Sequence, residues 1–186
     1  MRIISGRFKG RKFYPPADKW PTRPTTDYAK EGLFNILQNQ LNFPDEQFLD
    51  LFGGTGNHSY EFISRGCNDV TYVDKHGPAV VFVKKVAAEL GIDDKITFVK
   101  DDVARFIKSS NRSYSYIFAG PPYPLPWLNT IPDLIFASSL LKKDGLFVLE
   151  HNPEHNFTNH PNFVTSRNYG TTIFSFFEHK EENIEV

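Results

Sequence analysis

Between Phe48 and Glu150, short apolar runs alternate with stretches whose apolar positions recur every three or four residues. The runs Phe48–Phe52, Val70–Val73, Ile96–Val99, Tyr114–Ala119 and Leu146–Glu150 are expected to be buried strands. Helices are expected near Ser59–Ser64, Pro78–Leu90, Val103–Ser109 and Trp127–Leu141. Strands alternating with helices at this spacing imply a mostly parallel, doubly wound α/β sheet. Towards the end the pattern changes. Phe163–Asn168 and Thr171–Glu178 flank Tyr169-Gly170 and are expected to pair as an antiparallel hairpin. At the start, residues 2–14 alternate loosely around Gly6 and Gly10, which suggests a short hairpin. Pro15–Pro24 reads as a loop. Thr25 or Thr26 is placed to cap a helix from Asp27 to about Gln40, with Leu33, Phe34 and Leu37 on one face, until Asn42–Asp45 breaks it. No internal repeat is present. The chain therefore reads as one domain over 1–186, with an extension over 1–40 and a core over 41–186.

Composition narrows the class. With 186 residues, 40% of them hydrophobic and 15% aromatic, the chain suits one soluble domain with a sizeable core. The single cysteine, Cys67, excludes an internal disulfide and a cysteine metal site, and reads as a small buried hydrophobe. No apolar segment suits secretion or a membrane span, so a cytoplasmic location, a monomer and no membrane partner are expected. The net charge of −1 hides an asymmetry: residues 1–30 carry a net of +6 and the remainder −7. The basic residues Arg7, Lys9, Arg11 and Lys12 are interleaved with Phe8, Phe13 and Tyr14. Charge beside stacking faces points to a nucleic acid as partner of this arm.

Candidate chemistry gathers at strand ends. Asp50 is followed by Phe52-Gly53-Gly54-Thr55-Gly56, a turn whose glycines let the backbone bend sharply and approach a ligand. Ligands of open α/β sheets bind beyond the carboxyl ends of the strands. A dinucleotide enzyme would want a third glycine where Ser59 stands, and Asp50 would repel a phosphate while attracting the ammonium of a methionine moiety. Asp74, ending the second strand, is placed for the hydroxyls of a ribose. Asp102 and Val103, after the third, are placed for an adenine edge. The fourth strand ends in Gly120-Pro121-Pro122-Tyr123, where the prolines stiffen the loop and Tyr123 offers a face for stacking on a flipped base. Glycine turn and Pro-Pro-Tyr loop together resemble those of a class I, Rossmann-like methyltransferase that uses S-adenosylmethionine and attacks an amino group of a base.

Nearly the whole chain resembles the RsmD family of bacterial small-subunit rRNA guanine-N2 methyltransferases. The resemblance is carried by Met1-Arg2-Ile3-Ile4-Ser5-Gly6, Gly10-Arg11-Lys12, Arg23-Pro24-Thr25, Lys30-Glu31 with Leu33-Phe34-Asn35-Ile36-Leu37, Asp50-Leu51-Phe52 with Gly54-Thr55-Gly56, Ser64-Arg65-Gly66 and Pro121-Pro122-Tyr123. It implies methyl transfer from S-adenosylmethionine to a guanine N2 of 16S rRNA in the small ribosomal subunit, with Arg23, Thr25 and Lys30 on an RNA-facing rim. Two positions depart from it. Gly120 stands where such loops carry Asp, Asn or Ser, so the side-chain acceptor for the target amine is missing and turnover is expected to suffer. Either the site is impaired, or a water or another side chain stands in, or the protein binds without catalysing. His58 replaces a more usual apolar residue and reads as a packing change. The rivals are an RNA-binding assembly factor that keeps the cofactor site and a DNA adenine-N6 methyltransferase. The histidines at 151, 155 and 160 read as solvated loop residues rather than metal ligands, Trp127, Leu128 and Ile131 as helix core, and Lys142-Lys143 as a solvated helix end.

Overall fold

The computed structural model describes residues 1–21 and 23–181. Thr22, within the predicted Pro15–Pro24 loop, and residues 182–186, at the end of the expected core, lie outside them. The strands are β1 (Phe48–Leu51), β2 (Val70–Asp74), β3 (Ile96–Lys100), β4 (Tyr114–Ala119), β5 (Leu141–His151), β6 (Phe163–Tyr169) and β7 (Thr172–Glu178). The helices are α1 (Asp27–Leu37), α2 (Asn57–Ser64), α3 (Gly77–Leu90), α4 (Val103–Ser109) and α5 (Ile131–Ala137). The strands form one sheet in the order β3-β2-β1-β4-β5-β7-β6. The first five run parallel, and β7 pairs antiparallel with both β5 and β6. This is the doubly wound sheet with a terminal hairpin that the pattern predicts. The order reverses beside β1, whose neighbours are β2 and β4, so the ends of β1 and β4 flank the switch point where such sheets bind ligands.

The period-two alternation of the strands divides the core. Phe48, Tyr116, Phe118, Leu146 and Val148 enter one cluster with residues of α1, α2 and α3. Leu49, Leu51, Ile117, Ala119, Phe147 and Leu149 face the other way, onto α4 and α5. Strands covered on both faces need apolar side chains at every position, which is why they read as unbroken runs.

Three expectations are corrected. The short hairpin expected over residues 2–14 is present only in minimal form: the antiparallel bridge Arg2–Lys12 is flanked by hydrogen bonds from Ile3 N–H to Arg11 O, Gly10 N–H to Ile3 O and Phe13 N–H to Met1 O, without two full strands. α1 ends at Leu37, short of Gln40, although Thr26 caps it as foreseen, its hydroxyl oxygen accepting from the Ala29 N–H. The helix expected over Trp127–Leu141 is a 3-10 turn at Leu128–Thr130 followed by α5, which stops at Ala137. There Ser138 donates its hydroxyl to the Ile135 carbonyl and accepts from the Leu140 N–H, a local alternative to another helical turn. Freed from the helix, Leu141 pairs with Tyr114, so Lys142 and Lys143 lie in β5 and not at a helix end.

Candidate active site

The carboxyl ends of the five parallel strands, with Trp20, Pro21, Arg23, Pro24 and Thr25 from the segment before α1, enclose a cleft of about 470 Å3. Its floor is the glycine turn. The Gly53 N–H donates to Val73 O and the Gly56 N–H to Gly53 O. A Cβ on Gly53 would fall 2.3 Å from the Tyr72 ring, and Gly56 starts α2 at φ 77°, so neither position admits a side chain without strain. Phe52 also has a left-handed φ, 57°, a strained conformation for a residue with a side chain.

Carboxylates bracket this turn. Asp74 accepts the Gly54 N–H at 2.8 Å on Oδ2 and the His76 N–H at 2.7 Å on Oδ1, tying the end of β2 to the loop after β1. Asp50, 1% exposed, accepts the Ser59 hydroxyl at 2.6 Å. Burial, with the Asp74 charge adding to it, pushes the Asp50 carboxyl up to about 7. Asp102 caps α4, accepting the Arg105 N–H, and Val103 lies beside it on the cleft wall.

The opposite wall is the loop after β4. The Gly120 N–H donates to Leu51 O, which fixes the loop against β1. Tyr123 donates its hydroxyl to Glu150 Oε1 at 2.9 Å, and burial beside that carboxylate pushes its phenol up to about 12. Trp127 borders the cleft, half-buried, while Leu128 and Ile131 are core as expected. Trp20 closes the far side, its ring 5.6 Å from that of His76.

The cleft thus collects Asp50, Phe52, Gly53, Gly54, Thr55, Asp74, Asp102, Val103, Gly120, Pro121, Pro122, Tyr123, Arg23 and Thr25. Gly56 shapes the turn without lining the cleft. Arg7, Lys9, Arg11 and Lys12 are exposed on the N-terminal loop, outside it. Lys30 is the clear misplacement. It is 1% exposed and lies inside the protein, 3.1 Å from Glu61, with its ammonium also donating to Asn57 Oδ1 and Arg2 O. Burial holds its pKa below the usual lysine value, so it serves the fold and not an outer rim.

Glu150 and Asn57 line the cleft and were missed in the sequence. Glu150 had a signal, since it lies one residue from the end of a buried strand, close to the position that Asp74 holds at the end of β2. His58 is a packing residue: its ring stacks 3.8 Å from that of Phe118, its Nε2 meets the Tyr116 hydroxyl, and burial holds its pKa well below the ordinary value. His151, expected in solvent, is buried and bonded to the Ser175 hydroxyl, because β5 runs longer than foreseen. Cys67 is buried, its thiol pushed up to about 11 by desolvation. Among the described residues no group of three or more His, Cys, Asp or Glu is placed to hold a metal ion, and no helix is long and apolar enough to cross a membrane.

The family model described as conserved hypothetical protein 95 matches residues 1–178. The chain belongs to this family, the RsmD family. YlbH of Bacillus subtilis (strain 168) is 34% identical over 157 residues, covering 83% of this chain and 84% of its own. Ribosomal RNA small subunit methyltransferase D of Escherichia coli (strain K12) is 28% identical over 156 residues, covering 83% of this chain and 76% of its own. The solved structure of yhhF from Escherichia coli is 25% identical with a TM-score of 0.82, covering 97% of this chain and 99% of that one. The Thermus thermophilus 16S rRNA N2 G1207 methyltransferase, solved with AdoMet and guanosine, shares the fold at 19% identity and a TM-score of 0.67, covering 86% of this chain and 45% of that one. The class I methyltransferase fold expected for this RsmD-family chain is therefore the one it adopts.

Proposed function

We propose that this chain transfers a methyl group from S-adenosylmethionine to the exocyclic N2 of a guanine in 16S rRNA of the small ribosomal subunit. The observation that carries the reading is one cleft in which a glycine turn bracketed by buried acids faces a Pro-Pro-Tyr loop. Relatives named small-subunit rRNA methyltransferases support the RNA class, and a protein of the same fold is named for N2 chemistry on guanine.

The residues fit the cofactor. A cleft of about 470 Å3 is in the ordinary range for a ligand of this size. Asp50 has a serine hydroxyl as its hydrogen-bond partner, so its carboxylate retains capacity for an ammonium. Asp74, with spare lone pairs on both oxygens, suits ribose hydroxyls, and Asp102 with Val103 suits an adenine edge. When bound, S-adenosylmethionine supplies an electrophilic methyl carbon on a sulfonium. The protein's own work is alignment and exclusion of water. Pro121 and Pro122 stiffen the wall that receives the base, Tyr123 gives it a face, and main-chain carbonyls of the loop accept N–H groups of the amine. Arg23, on the rim, and the basic loop over residues 7–12 receive the RNA backbone.

The test is transfer of labelled methyl from S-adenosylmethionine to small subunits lacking the modification, followed by digestion to nucleosides. Label in N2-methylguanosine is expected. Label in another nucleoside, or in DNA instead, overturns the reading.

A further inference from the structure

Glu150 lines the cleft, and the chemistry above gives it no role. It is the penultimate residue of β5, one past Leu149, which pairs with Ala119 of β4, and so lies beside Gly120. It is 5% exposed. Thr25 donates its hydroxyl to Oε2 at 2.5 Å, and Tyr123 donates to Oε1 at 2.9 Å. A carboxylate accepts about four hydrogen bonds, so both oxygens keep capacity for another donor. Gly120 is what leaves that carboxylate open to the cleft. A Cβ there would stand 3.1 Å from the Phe118 ring and 3.9 Å from Glu150 Oε2, and a carboxylate built out from it would crowd the space in front of Glu150.

We propose that Glu150 is a catalytic residue of this chain: its carboxylate accepts the hydrogen bond of the target amine that residue 120 lacks the side chain to accept, and then takes the proton the amine gives up. The inference rests on the proposed methylation of an exocyclic amine. The lone pair of the amine nitrogen forms the new N–C bond while the methyl C–S bond breaks, its electron pair staying on sulfur. The methylated nitrogen is then cationic and passes one proton to Glu150. The products are a neutral secondary amine and a neutral carboxyl group, which returns the proton to water when the site reopens. Burial pushes the Glu150 carboxyl above its ordinary value, which suits a proton acceptor, although the two hydroxyl donors pull the other way. Thr25 and Tyr123 act as positioning residues that fix the carboxylate against the loop.

The experiment compares the parent chain with Glu150→Gln, Glu150→Asp, Gly120→Asp and the double variant Gly120→Asp/Glu150→Gln, on small subunits with labelled S-adenosylmethionine. Cofactor affinity and thermal melting are measured alongside. Glu150→Gln is expected to lower kcat on the order of 10- to 200-fold with cofactor affinity unchanged. Glu150→Asp withdraws the carboxylate by one methylene and is expected to lose kcat too, which keeps the test alive should the glutamine variant not fold. Gly120→Asp is expected to lower the parent rate, because its carboxylate crowds that of Glu150, but to restore at least about tenfold in the Glu150→Gln background. A purely structural Glu150 would show no such rescue. Parent-like kcat in Glu150→Gln, or a gain of about tenfold or more from Gly120→Asp alone, overturns the role of Glu150 and leaves the methyltransferase reading standing. If neither the parent nor Gly120→Asp methylates any guanine N2, the reading itself fails, and the inference with it.

Discussion

Asp50 sits at the end of β1 with its carboxyl raised to about 7, chiefly because burial removes the water that would solvate its charge. The sign of the consequence follows. The folded chain without ligand holds a proton there that the unfolded chain releases near 3.8, so this contribution to stability is full below about 3.8 and lost as pH rises through about 7. Binding an ammonium reverses the preference, since it needs the carboxylate. Cofactor affinity should therefore climb by up to about tenfold per pH unit until about pH 7, and fall again above about pH 8 as the ligand's own α-amine loses its proton. Calorimetric titration across that range, in buffers of different ionisation enthalpy, checks both limbs and counts the proton released. S-adenosylhomocysteine carries the same amine without the sulfonium and should give the same acidic limb, whereas Asp50→Asn should abolish it. Affinity that stays flat from about pH 5.5 to about 7 would detach Asp50 from the ammonium. The sequence pointed to Asp50 and Asp74 by one rule, an acid at the end of a buried parallel strand. The same rule reaches Glu150, the penultimate residue of β5, so its place in the site was legible in the sequence as well.

At the scale of elements, one buried carboxylate holds three pieces of chain together. Glu61 of α2 accepts the N–H groups of Ile4 and Ser5 at 2.8 and 3.0 Å, the ammonium of Lys30 from α1 at 3.1 Å and the guanidinium of Arg65 at 2.9 Å. Next to it Ser64 receives the Arg7 N–H on its carbonyl and the Phe8 N–H on its hydroxyl, so the N-terminal loop is laced to α2 along its last turn. Removing one partner of a buried pair leaves the other charged and unpaired, which costs about 3–5 kcal/mol. Glu61→Ala should lose about that much in urea unfolding and should open the loop to trypsin at Arg7, Lys9 and Arg11 before the core is cut; a loss under about 1 kcal/mol would mean that water takes over these donors. Most elements were legible because their cause is local: the period of the apolar residues, the Thr26 cap, the Tyr169-Gly170 turn. The failures share a different cause. Lys30 lies on the same helical face as Leu33, Phe34 and Leu37, so its place in the apolar stripe hinted at burial, but the partner that makes burial tolerable is 31 residues away in a different helix. The first residues of β5 are strand because Tyr114 pairs with Leu141, and a distant pairing of that kind has no local pattern.

Over the whole molecule, charge and cleft are displaced from each other. α2 begins at the cleft, which Asn57 and His58 line, and ends at Ser64, where the basic loop is docked. With a rise of about 1.5 Å per residue, the helix sets the two about 12 Å apart, so an RNA that reaches both must run along the surface for more than one nucleotide. Arg7, Lys9, Arg11 and Lys12 are exposed there, and the body behind them carries the opposite net charge. Attraction to phosphate should thus concentrate on the loop, while alignment of the base belongs to the cleft. The two are separable by mutation, because the side chains of Arg7, Arg11 and Lys12 leave the Glu61 and Ser64 contacts to the backbone. Reversing those three to Glu should weaken binding to a 16S rRNA fragment and flatten the dependence of log affinity on log salt by about 2, given about 0.7 released counterions per phosphate contact on single-stranded RNA. Under saturating substrate kcat should stay at the parent value, so the loss appears in KM. Filter binding at a series of salt concentrations, with methyl transfer measured on the same preparations, checks each part. An unchanged slope would place the RNA on another face and would leave the positive loop without a partner; a fall in kcat at saturation would mean that the loop also shapes the cleft through α2.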